Sequence, residues 1–330
     1  MRLIVNKVTG GHVALDTVDE FERTILSDPL VSPAKPASLF QTELIRYIFR
    51  FRKKFGFPDL SKPNPLRSSD PVSDKDHHFA VMMGWDLYKC LPYFLISNHH
   101  KSIYLFDAWP RDHELLEHFV NFFHIDFVFV SSSGSCEMLR KWIKRSEIHW
   151  IPEGINPGEY RQVSYDQKNI DLLSVGRRFD RYHEKIVDYF KEKQEKYLYE
   201  KIKGEIIFPT RNEFINGLAH SKISVCVPSN ITHPERAGNI ETMTIRYLQS
   251  MISKCLVLGK APAEMIELFG YNPVIEVDMD DPLSQLDFLL NNLDDYIPLI
   301  ERNYKNVILN HSWMNRWTSI KEIMNNQLAD

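Results

Sequence analysis

Short apolar runs, each bounded by turn-forming residues and followed by a helical pattern, recur in two series along this chain. That alternation limits the fold more than any other feature. Strands separated by helices cannot pair as hairpins. Each must return by a crossover, so the strands join in parallel and helices cover both faces of the sheet. In the first series, strands are expected at 2–5, 79–83 (FAVMM), 103–106 and 126–130 (DFVFV). Helical patterns lie between them, notably at 112–123, and the SSSGS turn leads into another at 135–145. The second series predicts strands at 171–175, 205–208, 222–227 (KISVCV), 255–258 and 273–277. The two meet around 150–165, where IPEGINPGEY (151–160) is rich in Gly and Pro and suits a linker. The expected fold class is α/β, in two halves.

A chain of 330 residues is long enough for two cores. Its 43% hydrophobic and 25% charged residues are those of an ordinary globular protein. A net charge of -4 offers no case for nucleic acid as the main partner. Four cysteines, Cys90, Cys136, Cys226 and Cys255, are far apart and lack metal-ligand spacing. They read as reduced residues of a cytoplasmic protein. The apolar stretch at the N-terminus is too short for a signal peptide. Residues 38–55 predict a helix with Ser38 as a candidate N-cap, and its basic and aromatic residues suit either a core or an anionic lipid surface. The apolar positions form no clean stripe, which favours the core and leaves peripheral contact with the inner face of the membrane as the alternative. Residues 56–76, with Pro58, Pro63, Pro65 and Pro71, predict a surface loop.

Chemistry concentrates in the second half. ETMTIRYLQSMISKCLVLGKAP (241–262) reads as an amphipathic helix running into a buried strand. Glu241 and Gln249 stand eight residues apart, a little over two helical turns, so one helix would carry both on roughly one face. Arg246 falls on a neighbouring part of that face, where it can neutralise a phosphate or pair with Glu241. In SVGRRFDRYHEK (174–185), a strand ends, Gly176 permits a tight turn, and Arg177, Arg178, Arg181 and Lys185 follow. Arginine's planar fork suits a phosphate, although such clusters also occur as solvated turns.

Together these two segments resemble the nucleotide-sugar-binding half of a GT-B glycosyltransferase of the retaining type. The resemblance covers roughly residues 150–320 and rests on several weak motifs in the right order. It implies two Rossmann-like domains facing a central cleft: residues 1–152 on the acceptor side, 153–310 on the donor side, and a C-terminal helix at about 311–330 (HSWMNRW) packing back onto the first. It implies that Gly176, Arg177 and Lys185 contact the donor diphosphate, with Arg178 and Arg181 as rivals. The family's two glutamates, seven residues between them, map onto Glu241, which would approach the donor sugar, and Gln249, in the place of the residue that holds the ribose. Gln249 departs from the pattern because its amide is uncharged, though it still donates and accepts hydrogen bonds. Thr210, Arg211 and Arg246 join the donor side.

In the first half, Asp86, His99, His100, Asp107 and Trp109 lie near strand ends or in following loops and are the acceptor-side candidates, with Asp107 as a base if the reaction inverts. The resemblance implies transfer of a sugar from a nucleotide-diphosphate sugar to a hydroxyl of a glycan or lipid-linked acceptor, with no cofactor and no metal, in surface polysaccharide or glycoconjugate synthesis. A non-catalytic nucleotide-sugar or glycan-binding protein and a nucleotide-sugar epimerase are the rivals. Asp278–Asp280 (DMD) is better read as the approach to a capped helix starting at Pro282 than as a metal motif. His77–His78 lacks a third ligand.

Overall fold

The computed structural model describes residues 2–6, 15–34, 43, 47, 73–84, 87, 94, 99–176, 178–193, 195–202 and 206–327. Most of the helix expected at 38–55, the loop at 56–72, and the candidates Asp86 and Arg177 lie outside the described residues. The chain divides into two compact units, Met1–Pro152 with Trp317–Asp330, and Glu153–Arg316.

The first unit holds β1 (Arg2–Asn6), α1 (Asp16–Leu26), β2 (Val31–Pro33), β3 (Ser73–Met83), β4 (His99–Phe106), α2 (His113–Phe123), β5 (Phe127–Val130), α3 (Ser133–Trp142) and β6 (Glu147–Trp150). Its strands pair in parallel in the order β2-β1-β3-β4-β5-β6. β3 begins at Ser73, so residues 73–76, expected in the loop, extend the sheet. Strand alternation sorts the core into two layers. Ala80, Met82, Ile103, Leu105, Val128 and Val130 face Leu116, Phe119, Val120 and Phe123 of α2 and Leu139 of α3. On the other face Phe21 of α1 meets Tyr104 edge-on at 5.0 Å, and Trp317 meets Phe79 at 5.3 Å.

Trp317 also donates from Nε1 to Asp28 at 2.9 Å, and Lys321 Nζ reaches the same oxygen at 2.6 Å. Burial works to raise the Asp28 carboxyl, but the donors from Lys321, the Leu30 amide and Trp317 prevail and hold it below the usual range. Burying an aromatic side chain contributes about 1.5–3 kcal/mol, and a hydrogen bond to a charged carboxylate contributes about as much.

The second unit continues with β7 (Ile170–Ser174), α4 (Asp180–Lys193), β8 (Tyr197–Tyr199), α5 (Arg211–Ala219), β9 (Ser221–Cys226), α6 (Ser229–Thr232), α7 (Pro234–Ala237), α8 (Ile245–Ile252), β10 (Leu256–Gly259), α9 (Ala263–Phe269), β11 (Ile275–Glu276), α10 (Pro282–Asn291) and α11 (Ile297–Asn310). Helix α12 (Trp313–Gln327) begins here and ends in the first unit. The parallel order is β11-β10-β9-β7-β8. The strand expected at 205–208 is not one: residues 206–208 are irregular, and the sheet's edge is β8. Phe208 instead packs on α5, where a Cβ on Gly217 would lie 2.2 Å from its ring.

Leu172, Leu256 and Leu258 pack with Tyr182, Ile186 and Phe190 of α4 and Leu286 of α10. Leu173 and Val257, one residue out of phase, pack on the opposite face with Leu218 of α5, Leu248 and Met251 of α8 and Met265 of α9. Lys168, ahead of β7, buries its ammonium against three carbonyls, of Ala219, Ser221 and Ser253, at 2.8, 2.9 and 3.0 Å. Asp281 caps α10 by accepting from the Ser284 amide, with Pro282 in the first turn. Among the described residues, no group of three or more His, Cys, Asp or Glu side chains is placed to hold a metal ion, and no helix is long and apolar enough to cross a membrane.

Gly259, which ends β10, has φ 152, and a Cβ there would sit 1.8 Å from the Cys226 carbonyl oxygen of β9. Gly259→Ala must push two central strands apart. It is expected to lower the unfolding free energy by about 3 kcal/mol, the upper end of overpacking costs, as read by urea denaturation.

Candidate functional site

In a parallel sheet, every turn that leaves a strand's carboxyl end lies on one edge, with the N-terminus of the next helix beside it. In the second unit that edge gathers the Gly176 turn after β7, the start of α5, the approach to α8 and Lys260 after β10. Gly176 has φ 84, in the left-handed region, and a Cβ on it would lie 3.2 Å from Arg246 Nε. The glycine turn and the Arg246 guanidinium are thus in direct contact.

Arg246 is held from several sides. Its Nη1 donates to Gln249 Oε1 at 2.9 Å, and its guanidinium stacks 4.9 Å above the Phe214 ring of α5. Gln249, only 2% exposed, donates in turn from Nε2 to the Tyr160 hydroxyl at 3.0 Å. Arg211 lies over the Tyr160 ring at 5.5 Å and pairs with Glu159 at 2.7 Å. The result is a layered run of planar groups from Gly176 to Glu159, mixing cations with aromatic faces.

Glu241 does not sit on the helix. That helix begins at Ile245, and residues 241–244 approach it in irregular conformation. Its carboxylate instead pairs with Lys260 Nζ at 2.6 Å. Burial acts to raise its pKa, but hydrogen bonds from Lys260, the Asn230 side chain and the Ala263 amide, with the lysine's charge, lower it below the ordinary value. The next residues are pinned as well: Glu264, buried in α9, accepts from the Thr242 hydroxyl at 2.8 Å and from the Met243 amide at 2.6 Å. Two acids therefore tie the segment before α8 to the segment after β10.

Other candidates are engaged by neighbouring groups. Lys185 is exposed on α4 and donates to the Met279 carbonyl at 2.5 Å. α4 packs on the sheet face opposite α8. Arg178 bridges Asp180 at 2.6 Å and the Glu200 carbonyl at 2.7 Å, and Arg181 is exposed on α4. Thr210 is the N-cap of α5: its hydroxyl accepts from the Glu213 amide at 3.2 Å and its backbone N–H donates to the Glu213 carboxylate at 2.9 Å, a capping box.

In the first unit Asp107 follows β4 at the carboxyl edge, with φ 49. A left-handed non-glycine residue costs about 1–3 kcal/mol and tends to mark a site. A Cβ on Gly84 would come within 2.7 Å of the Asp107 carbonyl oxygen, so the two turns are packed together. Trp109 is 2% exposed and belongs to the core rather than to a ligand surface. His99 and His100 open β4, one strand length of about 25 Å from Asp107 at ~3.3 Å per residue; they do not share its edge.

Tyr160, Phe214, Lys260 and Glu264 were not singled out from the sequence. Lys260 had a readable signal, since it directly follows the apolar run LVLG. Tyr160, in the segment taken as linker, had none.

No protein-family model and no curated protein matches this chain. Solved structures do. The chain is similar to the sucrose-phosphate synthase of Thermosynechococcus elongatus, at 11% identity and a TM-score of 0.58, over 99% of each chain. It is similar to Anabaena HepE, solved in complex with UDP and glucose, at 11% identity and a TM-score of 0.58, over 99% of this chain and 100% of that one. The UDP-forming alpha,alpha-trehalose-phosphate synthase of Burkholderia vietnamiensis matches at 11% identity and a TM-score of 0.56, over 99% and 98%. These likenesses, end to end, show that the chain has the GT-B fold, with its two Rossmann-like domains.

Because Glu241 has a lowered pKa, its ionised form contributes stability above the unfolded-state value, and that contribution is lost as pH falls through the folded-state value. The stability difference between the wild type and Glu241→Gln is expected to hold from pH 7 down to the ordinary glutamate value of 4.5 and to vanish in more acid solution. Chemical denaturation at a series of pH values reads it.

Proposed function

We propose that this protein is a glycosyltransferase that moves a sugar from a nucleotide-diphosphate sugar to an acceptor hydroxyl. The observation that carries the reading is the contact between the Gly176 turn and Arg246 at the carboxyl edge of the second sheet. A left-handed glycine lets backbone amides approach a diphosphate, and the guanidinium beside it supplies the opposing charge. The GT-B fold supports the same reading, since the similar structures include proteins whose descriptions name UDP and glucose or UDP-forming synthesis.

Arg246, with Arg177 next to Gly176 in the sequence, would stabilise the negative charge that grows on the leaving diphosphate, the task for which fixed cations are most effective. Lys185 takes a lesser part, because its helix packs on the sheet face opposite α8, and Arg178 stays a rival to Arg177. Glu241 would orient the donor sugar; its pairing with Lys260 keeps it ionised and fixed in place. Gln249 and Tyr160 would act behind Arg246 by setting its orientation. Retention fits a site whose cations gather at the diphosphate, because the departing phosphate then takes the acceptor's proton and no protein base is required. Asp107 is the acceptor-side carboxylate to test if the product proves inverted. Fixed cations of this kind also make a metal unnecessary. The acceptor class is a glycan or lipid-linked glycan in surface polysaccharide synthesis, with the work done in the cytoplasm or at the inner face of the membrane.

Incubation with nucleoside-diphosphate sugars, with and without acceptor sugars, tests the reading by release of nucleoside diphosphate. Acceptor-dependent release supports transfer. Binding without release points to a binding protein, and interconverted donor sugar to an epimerase. Arg246→Ala is expected to lower kcat/KM by about 10- to 100-fold, since a hydrogen bond to a charged group is worth about 1.5–3 kcal/mol. Gly176→Ala should weaken nucleoside-diphosphate binding and also lower stability by about 1–3 kcal/mol, because an L side chain is strained at a left-handed position and the new Cβ presses on Arg246. The rate of nucleoside-diphosphate release at varied donor concentration measures the first variant, and calorimetric titration with the diphosphate the second.

A further inference from the structure

Glu264 stands in the first turn of α9 and is only 5% exposed. A carboxyl group taken that far out of water is costly unless donors meet it. Two meet the same oxygen, Oε1, and both come from the residues that follow Glu241: the Thr242 hydroxyl at 2.8 Å and the Met243 amide at 2.6 Å.

The two sides of this contact are held in different ways. Met265 and Phe269 anchor α9 in the core. Just ahead of it, the Lys260 amide donates to the Cys226 carbonyl at 3.1 Å, and the Lys260 carbonyl accepts from the Tyr247 hydroxyl at 2.6 Å. Residues 241–244, by contrast, belong to no helix or strand. The buried Met243 side chain keeps them on the core, but apolar burial is non-directional. Hydrogen bonds have direction and weaken steeply as they bend. Direction at 242–243 comes from the bonds to Glu264.

The consequence falls on the residue before them. Glu241 accepts from Lys260 Nζ at 2.6 Å and from the Ala263 amide. One acid thus reaches from 241 into the 260–264 segment, and the other reaches back from 264 to 242–243. Turning the 242–243 peptide would draw the Glu241 carboxylate off Lys260 and Ala263 together.

We propose that Glu264 is a positioning residue: by fixing Thr242 and Met243 it sets where the Glu241 carboxylate stands, and so acts on the donor sugar through Glu241. The proposal rests on the sugar-transfer reading for what Glu241 does, and on the two hydrogen bonds for how it is held.

Three variants of the full-length protein test it, labelled with 13C at glutamate, with the Glu241 signal assigned from Glu241→Gln. Glu264→Leu removes the acceptor at similar size. Glu264→Gln keeps an accepting oxygen without the charge. Thr242→Val removes one of the two bonds, and decides the matter if Glu264→Leu does not fold. With its donors withdrawn and its burial kept, the Glu241 carboxyl is expected to titrate at or above the ordinary 4.5 in Glu264→Leu. It should stay below that value in the wild type and in Glu264→Gln, and lie between in Thr242→Val. Acceptor-dependent release of nucleoside diphosphate should lose about tenfold in kcat in Glu264→Leu, the worth of one hydrogen bond to a charged group. KM for the donor should stay near the wild-type value, because Arg246 is untouched, and Glu264→Gln should restore kcat. A Glu241 titration that ignores Glu264→Leu and Thr242→Val, a Glu264→Gln protein as impaired as Glu264→Leu, or a loss confined to KM would each overturn the proposal. A wild type that releases no nucleoside diphosphate, while its Glu241 titration follows residue 264, would overturn the sugar-transfer reading and leave the hold of Glu264 on Glu241 standing.

Discussion

Parallel pairing is the constraint on which the rest of this structure depends. A strand that must be followed by another in the same direction forces the chain across a face of the sheet, and each crossing delivers a turn and a helix start to the carboxyl edge. In the second unit this happens after β7, β9 and β10, which is why residues as distant as Gly176, Arg246 and Lys260 share one edge. The close approach of Gly259 to the Cys226 carbonyl shows how tightly the two central strands that carry these turns are drawn together.

The carboxyl edge of the second sheet is built from groups that restrain one another before any ligand arrives. Arg246 is fixed by Gln249 and Phe214, Gln249 by Tyr160, and Glu241 by Lys260. Such preorganisation matters because a charge that is already oriented costs little reorganisation when charge develops on a reacting group. A glutamine at position 249 suits this arrangement. Its buried amide accepts from Arg246 and donates to the Tyr160 hydroxyl, whereas a carboxylate there would accept from both, since a tyrosine hydroxyl can also donate.

The fold was largely legible because its signals are local. Runs such as FAVMM, DFVFV and KISVCV are continuous and apolar, as strands buried on both faces must be. Edge strands carry no such signal. All three residues of β8 are only half-buried, while Ile206, Ile207 and Phe208 imitate a strand because Phe208 fills the space above Gly217. The candidate site was legible only in part. Gly176, Arg246 and Gln249 were marked by chemistry and spacing, and the structure brings them together. Glu241 was named, but the helix was started four residues too early, since Thr242 and Met243 are held outside it by Glu264, a partner more than twenty residues away.

By itself the sequence determined the buried central strands, that two α/β halves follow one another, and that their loops carry the polar chemistry, because these depend on periodicity and on residues near in the chain. Tertiary structure alone decided which of those loops meet. Leu172 and Leu173 differ by one residue and face opposite ways, and the same alternation puts α4 with Lys185 on one side of the sheet and α8 with Arg246 on the other. It also placed His99 and Asp107 at opposite ends of a single strand. A pleated strand separates neighbours in sequence as surely as strand pairing unites residues far apart, and neither face nor end is written in the local composition.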